Sequence, residues 1–201
     1  MEITPAQREQ LTAFADAVAS SAHNLVSKRA RTELHSRHVP EAIALSELLP
    51  PGPARVLDVG SGGGFPGMVV AIVRSDLTVE LLDSTRKKTR FLEETAGAIG
   101  LQVQVHTGRA EQLGAGSLAG SFDVVTVRAV ASLTQLVPWC TPFLAPGGRI
   151  YALKGERWAE ELQAAQPTIA RAGLTVAATP DAGGGDDAVA PLRVVMLQRP
   201  A

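Results

Sequence analysis

The sequence contains one cysteine, Cys140, in 201 residues. A single thiol excludes an intramolecular disulfide framework and fits a reducing compartment. Aromatic residues make up only 4% of the chain, so any core it builds must be mostly aliphatic. No apolar run approaches the roughly 18 residues that a membrane-spanning helix needs; the longest, around 69–73, stops at Arg74. The opening MEITPAQREQ lacks the basic and apolar regions of a secretory signal, and a cytoplasmic location is expected. Lys and Arg (19) nearly balance Asp and Glu (20), for a net charge of −1, so overall charge does not mark a nucleic-acid binder. His and Cys show no metal-ligand spacing and no G-x-S-x-G elbow is present, so neither a zinc site nor serine-hydrolase chemistry is expected.

What charge there is clusters. Residues 27–38, SKRARTELHSRH, hold Lys28, Arg29, Arg31 and Arg37 with two histidines against one acid, Glu33. Residues 85–90, TRKKTR, carry four positive charges. A charge run is ordinarily a solvated helix face, but two of them beside a glycine-rich loop suggest a patch for a polyanion.

The first 50 residues read as helical, with Leu11, Phe14, Ala15, Val18 and Ala22 at helical spacing and a second helix from about 31 to 49, broken or restarted near Pro40. They form an N-terminal extension, residues 1–50, expected to pack on a core domain of residues 51–201. PPGP (50–53) ends the helical region. From there strands and helices alternate: ARVLDV, GMVVAIVRS, TVELLD, STRKKTRFLEETAGAIG, LQVQVHTG, FDVVTVRA, a helix over about 133–144, RIYALKG after the turn APGG, and a helix containing Pro167 that is expected to kink or split. LTVAAT and LRVVMLQR close the chain as strands with no helix between them. The fold class is therefore α/β: a mostly parallel seven-stranded sheet with helices on both faces and an antiparallel ending. DAGGGDDA (181–188) reads as a flexible acidic loop.

The stretch VLDVGSGGGFPG carries the chemistry. Gly62, Gly64 and Gly67 satisfy G-x-G-x-x-G between strand and helix, while Gly60, Gly62 and Gly64 satisfy G-x-G-x-G. Asp83 follows Gly64 by 19 residues, at the end of the next strand, where a carboxylate accepts hydrogen bonds from ribose hydroxyls. An adenosine-type ligand fits; a purely packing role for the glycines is the alternative. Asp58, two residues before the first glycine, replaces the apolar residue usual in dinucleotide enzymes and suits a ligand bearing an ammonium. That favours the methyl donor S-adenosyl-L-methionine over a nicotinamide dinucleotide.

Further pieces make the sequence resemble one family. NL-x-S (24–27), RH (37–38), LDVGSGGGFPG, LLDSTRKKTRFL, GRAE (108–111), VRAVASL (127–133) and YALKG (151–155) occur in the order found in the bacterial glucose-inhibited division protein B family, over about two-thirds of the chain. The tryptophan-containing helix usual before NL-x-S is replaced here by FADAVASSAH. The resemblance implies an S-adenosylmethionine-dependent methyltransferase fold and methylation of guanine N7 in 16S ribosomal RNA, a matter of rRNA processing. It implies donor contacts at Gly60, Gly62, Phe65, Asp83, Ala110, Glu111 and Arg128, and substrate-side contacts at Asn24, Arg37, His38, Arg109 and Lys154. The implied partners are 16S rRNA or the small ribosomal subunit, bound by a monomer with no membrane and no metal. Arg128 at the end of its strand needs an anionic partner, which could be the donor carboxylate, an RNA phosphate or an internal acid.

Guanine N7 has an in-plane lone pair and no proton, so the reaction requires alignment and exclusion of water rather than a base, and no catalytic residue is assigned. Glu111 is a candidate to stabilise the cationic product. A small-molecule methyltransferase, a NAD-dependent oxidoreductase and a non-catalytic donor-binding protein remain as alternatives. The first leaves the two basic clusters unexplained, the second Asp58 and the later motifs.

Overall fold

The computed structural model describes residues 2–23, 25–128, 131–182 and 192–201. Helices fill the first quarter. α1 (Pro5–Ser20) starts at a capping box, with Thr4 and Gln7 exchanging backbone and side-chain hydrogen bonds and Pro5 preset at the first position. α2 (Lys28–Thr32) is capped by the Ser27 side chain, which accepts from the Ala30 N–H. A π-helical turn, Leu34–His38, leads into α3 (Val39–Leu48). The second helix expected from the sequence is thus in three parts, and the restart lies just before Pro40, whose missing N–H is harmless at a helix start. Ala22 falls beyond the end of α1.

The alternating part follows as β1 (Ala54–Val59), α4 (Gly67–Val73), β2 (Leu77–Asp83), α5 (Arg86–Ala98), β3 (Gln104–Thr107), α6 (Ala110–Leu113), β4 (Phe122–Arg128), α7 (Leu133–Cys140), β5 (Leu144–Lys154), α8 (Trp158–Arg171), β6 (Thr175–Ala178), β7 (Asp181–Ala182) and β8 (Leu192–Gln198). Strand order is β3-β2-β1-β4-β5-β8-β6, with the two-residue β7 pairing β8 beside that path. The β3 to β5 half is parallel; β8 runs antiparallel to both β5 and β6. This is the mixed seven-stranded sheet expected, with β7 as an addition inside the region read as a loop; residues 183–188 of that loop lie outside the described residues.

Three boundaries differ from the sequence reading. α7 ends at Cys140, and a 3-10 turn (Thr141–Phe143) delivers Leu144 to the sheet, where it pairs Phe122. The APGG segment lies within β5 as the irregularity between the Phe122 and Val124 pairings. α8 runs through Pro167 as one helix; Ala165 and Ile169 are buried on either side of the proline, and that packing holds the two halves together.

Successive strand residues serve opposite faces, as a pleated sheet requires. Val56, Val79, Leu81 and Val124 enter an apolar cluster with α1, α3 and α4, whereas Leu57, Val59, Leu82 and Val125 enter a second with α7 and α8. The N-terminal helices share the first cluster: Phe14, Val18, Leu34 and Leu45 lie in it with Met68 and Val69. Polar ties reinforce the docking. Gln7 Nε2 donates to the Ile72 carbonyl at 3.0 Å and Gln10 Nε2 to that of Ile99 at 2.9 Å. Arg74 Nη1 donates to the Ser46 carbonyl and Nη2 to that of Pro50, each at 2.7 Å.

Close packing fixes two of the glycines. A Cβ on Gly67 would lie 2.4 Å from Leu81 Cδ2 and 2.7 Å from Asp58 Cβ; one on Gly64, at φ +98°, would lie 2.8 Å from Met68 Cγ. Gly67→Ala is expected to cost about 1–3 kcal/mol by overpacking. Gly97→Ala, in α5 with open space around it, should instead stabilise by up to about 1 kcal/mol. Urea unfolding of both variants checks the pair of signs.

Candidate donor-binding site

β1 enters the glycine loop at the C-terminal edge of the sheet, where ligands of open α/β folds lie. Asp58, 1% exposed, organises this turn. Its Oδ1 accepts from Thr126 Oγ1 on β4 at 2.8 Å, and its Oδ2 from the Gly67 N–H at the start of α4 at 3.2 Å. Burial pushes the Asp58 carboxyl up to about 6, against the lowering effect of the Thr126, Ser61 and Gly67 hydrogen bonds. Ser61 ties the loop to the neighbouring strand: its Oγ donates to the Asp58 carbonyl and accepts from the Leu82 N–H. Asp58 is therefore a brace beneath the loop. These hydrogen bonds give Asp58 a structural role that the sequence reading, which expected an ammonium contact, did not include; it does not itself line the cavity.

That cavity, of about 590 Å³, is lined by Gly60, Ser61, Gly62 and Gly63 of the loop, by Phe65, by Asp83 through Thr85 with Lys88 after β2, by Arg128 after β4, and by Leu25 through Ser27, Ala30 and His38 from the N-terminal region. Gly60 (φ +73°) and Gly62 (φ +54°) adopt the left-handed conformation there. So the four glycines divide their work: Gly60 and Gly62 shape the cavity wall, while Gly64 and Gly67 admit Phe14, Met68 and Leu81. Asp83 is held by the Gly62 N–H on Oδ2 at 3.0 Å and the Thr85 N–H on Oδ1 at 2.8 Å, with Lys88 Nζ 3.7 Å from Oδ2. A carboxylate has about four lone-pair sites, so Asp83 retains acceptor capacity for hydroxyl groups. Phe65 is buried against Phe14, ring centroids 4.9 Å apart, and 6.0 Å from the His38 ring. It is both core and cavity wall.

Arg128 pairs with an internal acid that the sequence reading did not name. Its Nη2 donates to Glu41 Oε2 at 2.6 Å and contacts His38 Nδ1. Glu41 is 5% exposed. Burial pushes its carboxyl up, but the hydrogen bond from His38 and the charges of Arg128 and Arg37 outweigh it and hold it at about 2. Two buried nitrogens on cavity-lining residues, Arg128 Nη1 and His38 Nε2, have no hydrogen-bond partner among the described residues. A buried guanidinium N–H calls for an acceptor, and a carboxylate or phosphate oxygen meets the need of Arg128. Glu41 lies three residues after His38 and four after Arg37, the spacing at which helical side chains meet; that was the available signal.

The other expected site residues lie elsewhere. Lys154 donates to the Ala131 carbonyl at 2.8 Å and pairs with Glu161 Oε2 at 2.7 Å, the oxygen that also accepts from the Leu133 N–H. It clamps the segment after β4 and does not line the cavity. Arg37 splits its guanidinium between Glu33 and Glu41. Arg109, Ala110 and Glu111 sit at the start of α6 and are not among the residues that line the cavity; Ala110 is buried in the apolar cluster shared with α7, and the other two are exposed. The loop before them is tied to β2 through the Gly108 N–H and the Asp83 carbonyl, 3.1 Å. Asn24 lies outside the described residues. Among the described residues no group of His, Cys, Asp and Glu could hold a metal ion, and no helix is long and apolar enough to cross a membrane.

A mostly parallel sheet of this order, closed by an antiparallel strand, with a glycine loop after β1 and an acid ending β2, defines the S-adenosylmethionine-dependent methyltransferase fold. Solved structures agree: a SAM-dependent methyltransferase from Aquifex aeolicus superposes with a TM-score of 0.61 at 17% identity, covering 81% of this chain and 92% of its own. A ribosomal protein L11 methylase from Lactobacillus delbrueckii gives 0.60 at 18%, covering 80% and 77%. Within that class the chain belongs to the GidB family, rRNA small subunit methyltransferase G, whose model matches residues 7–189. Proteins named ribosomal RNA small subunit methyltransferase G from Sorangium cellulosum and Thermobifida fusca are 44% and 42% identical over 74% and 87% of this chain. The matches span 63% and 73% of those two relatives' lengths, and for a Mycolicibacterium smegmatis relative, 43% identical, 59%.

The Asp58 brace sets a pH dependence. An ordinary aspartate in the unfolded chain titrates near about 3.9, so from about pH 4 to 6 the folded chain keeps a proton that the unfolded chain has released. The contribution of Asp58 to stability is therefore full below about pH 4 and declines, by on the order of 3 kcal/mol, as pH rises to about 6. Relative to Asp58→Asn, the wild type should lose stability across that window in chemical unfolding; a constant difference between the two contradicts the assignment.

Proposed function

We propose that the chain transfers a methyl group from S-adenosyl-L-methionine to N7 of a guanine in 16S ribosomal RNA, acting on the small ribosomal subunit or its RNA. The observation that carries the donor half is the cavity at the sheet edge, where Asp83 keeps acceptor capacity and Arg128 keeps an N–H donor unpaired among the described residues. Family membership supports the RNA half. When bound, S-adenosylmethionine supplies a methyl group made electrophilic by its sulfonium, and guanine N7 can accept it through its lone pair without losing a proton.

In this reading Asp83 accepts from the ribose hydroxyls, held in orientation by the Gly62 and Thr85 N–H groups. Gly60 and Gly62 let the donor approach bare backbone, Phe65 supplies an apolar wall, and Arg128 receives the donor's carboxylate. Ala110 and Glu111 border the adenine end. The tie between the loop before them and the end of β2, at Asp83, supports that placement. No side chain is asked to take a proton. Arg109 stands on the same rim for the substrate, while Lys154 acts on RNA only indirectly, by holding the segment after β4.

The basic residues divide by what already engages them. Arg29 pairs with Glu33, Arg90 with Glu94, and Arg31 donates to the carbonyls of Ala19 and His23. Lys28, Arg86 and Lys87 are exposed and have no side-chain partner among the described residues. The two clusters also converge: Lys28 and Arg31 border one depression, Lys87 and Arg90 another, and Ser21 and Ala22 line both. This strip, adjoining the donor cavity at Ser27 and Lys88, is the proposed path of the RNA backbone.

The deciding experiment is transfer of labelled methyl groups from S-adenosylmethionine to small ribosomal subunits from cells lacking the protein, followed by nucleoside analysis. Label in 7-methylguanosine at one site is expected. Donor binding without transfer to subunits or their RNA would overturn the RNA assignment and favour a small-molecule acceptor. For the backbone path, replacing Lys28 and Lys87 by Gln is expected to reduce the slope of log K against log salt by about 1.4–1.8, at roughly 0.7–0.9 per phosphate contact.

A further inference from the structure

We infer that Glu41 is a positioning residue for the methyl donor: a buried carboxylate from α3 that fixes the Arg128 guanidinium through one nitrogen and leaves the other for the donor's carboxylate. The inference rests on the reading that the donor occupies the cavity beside β1, β2 and β4.

Arg128 ends β4 on a long side chain that has many rotamers to lose before it can bind anything. Glu41 removes that freedom from across the fold, 87 residues away in sequence. Its Oε2 holds Arg128 Nη2 at 2.6 Å and lies 3.3 Å from His38 Nδ1. Its Oε1 accepts from Arg37 Nε at 2.8 Å. With one oxygen on each arginine, the carboxylate has no freedom to turn away. The π-helical turn at Leu34–His38 puts Arg37, His38 and then Glu41 onto this one spot: the His38 N–H closes a ring on the Glu33 carbonyl at 3.1 Å, five residues back. Wide turns of this kind recur at functional sites.

The free nitrogen favours a second anion. Glu41 is shared by Arg128 and Arg37, and Arg37 has Glu33 as its second acid; Arg128 Nη1, on a cavity-lining residue, is left without a partner among the described residues. Burial pulls the Arg128 pKa down while the Glu41 charge opposes it, and an arginine remains charged under such a balance.

The test is a double-mutant cycle read as S-adenosylmethionine affinity by titration calorimetry, with wild type, Glu41→Gln, Arg128→Gln and the double variant. Glu41→Gln is expected to weaken donor binding by about tenfold or more, the scale of one lost charge-assisted hydrogen bond. If Glu41 acts through Arg128, the double variant binds within about twofold of Arg128→Gln alone, because the second change has nothing left to disturb. A folded Glu41→Gln with donor affinity within twofold of wild type overturns the inference, as do losses that multiply in the double variant. Should Glu41→Gln fail to fold, Glu41→Asp, which keeps the charge on a shorter arm, is judged by the same two criteria. A wild-type chain that binds no donor overturns the functional reading and this inference with it; wild-type binding alongside an indifferent Glu41 variant overturns this inference alone.

Discussion

A single buried carboxylate holds together the parts that make the site. Asp58 gives one oxygen to Thr126 and the other to the Gly67 N–H, so β1, β4 and the start of α4 are joined at one residue. Gly67 must be bare because the brace and Leu81 leave no room for a Cβ. Gly64 must be bare because Phe14 and Met68 crowd in from the other side. The loop between β1 and α4 is thereby pinned at its base and at its exit, and the segment left over, Gly60 to Gly63, forms the cavity wall. Burying the acid is costly, but in return the loop has one shape before any ligand arrives, which lowers the ordering cost of binding.

Much of this was legible in the sequence for a simple reason: parallel strands buried on both faces are near-continuous apolar runs, and glycines punctuate them. ARVLDV, TVELLD and FDVVTVR could be read directly, and the G-x-G-x-G run with Asp83 placed the ligand edge. What escaped was long-range. Nothing in FADAVASSAH says that Phe14 will lie against Phe65, and nothing near VRAVAS says that Arg128 will find Glu41. The bracing of Asp58 by Thr126 escaped as well, because local spacing cannot reveal that the two stand side by side. The boundaries around Pro142 and Pro146 and the break expected at Pro167 were misplaced where tertiary packing overrode local rules. α8 continues through its proline because its buried face is held on both sides of it.

The electrostatic layout separates two kinds of basic residue that a count treats alike. Arg37 and Arg128 are committed to Glu41, and the Arg128 pairing is deep enough to resist screening. Lys28, Arg86 and Lys87 stand in solvent, where ionic strength governs whatever they attract. A chain of net charge −1 can therefore present a local cationic strip while its few interior arginines serve geometry. His38 belongs with the first: it is buried in the Glu41 network and also forms part of the cavity wall.

The cavity is walled partly by the segment that follows α1, and its Phe65 wall is backed by Phe14 of α1, which has a consequence for the order in which the molecule is made. Phe14 rests on Phe65, about fifty residues further along, and the apolar face of α1 is covered by side chains of α4. During synthesis α1 emerges well before the strands and helix it needs. At roughly 5–20 residues per second, its apolar stripe waits on the order of several seconds without a partner. An isolated helix of this length is only marginally stable in water, so α1 gains its lasting structure by docking on a sheet that forms after it. Phe65, part of the cavity wall, is then backed by a piece of chain that is made early and settles late.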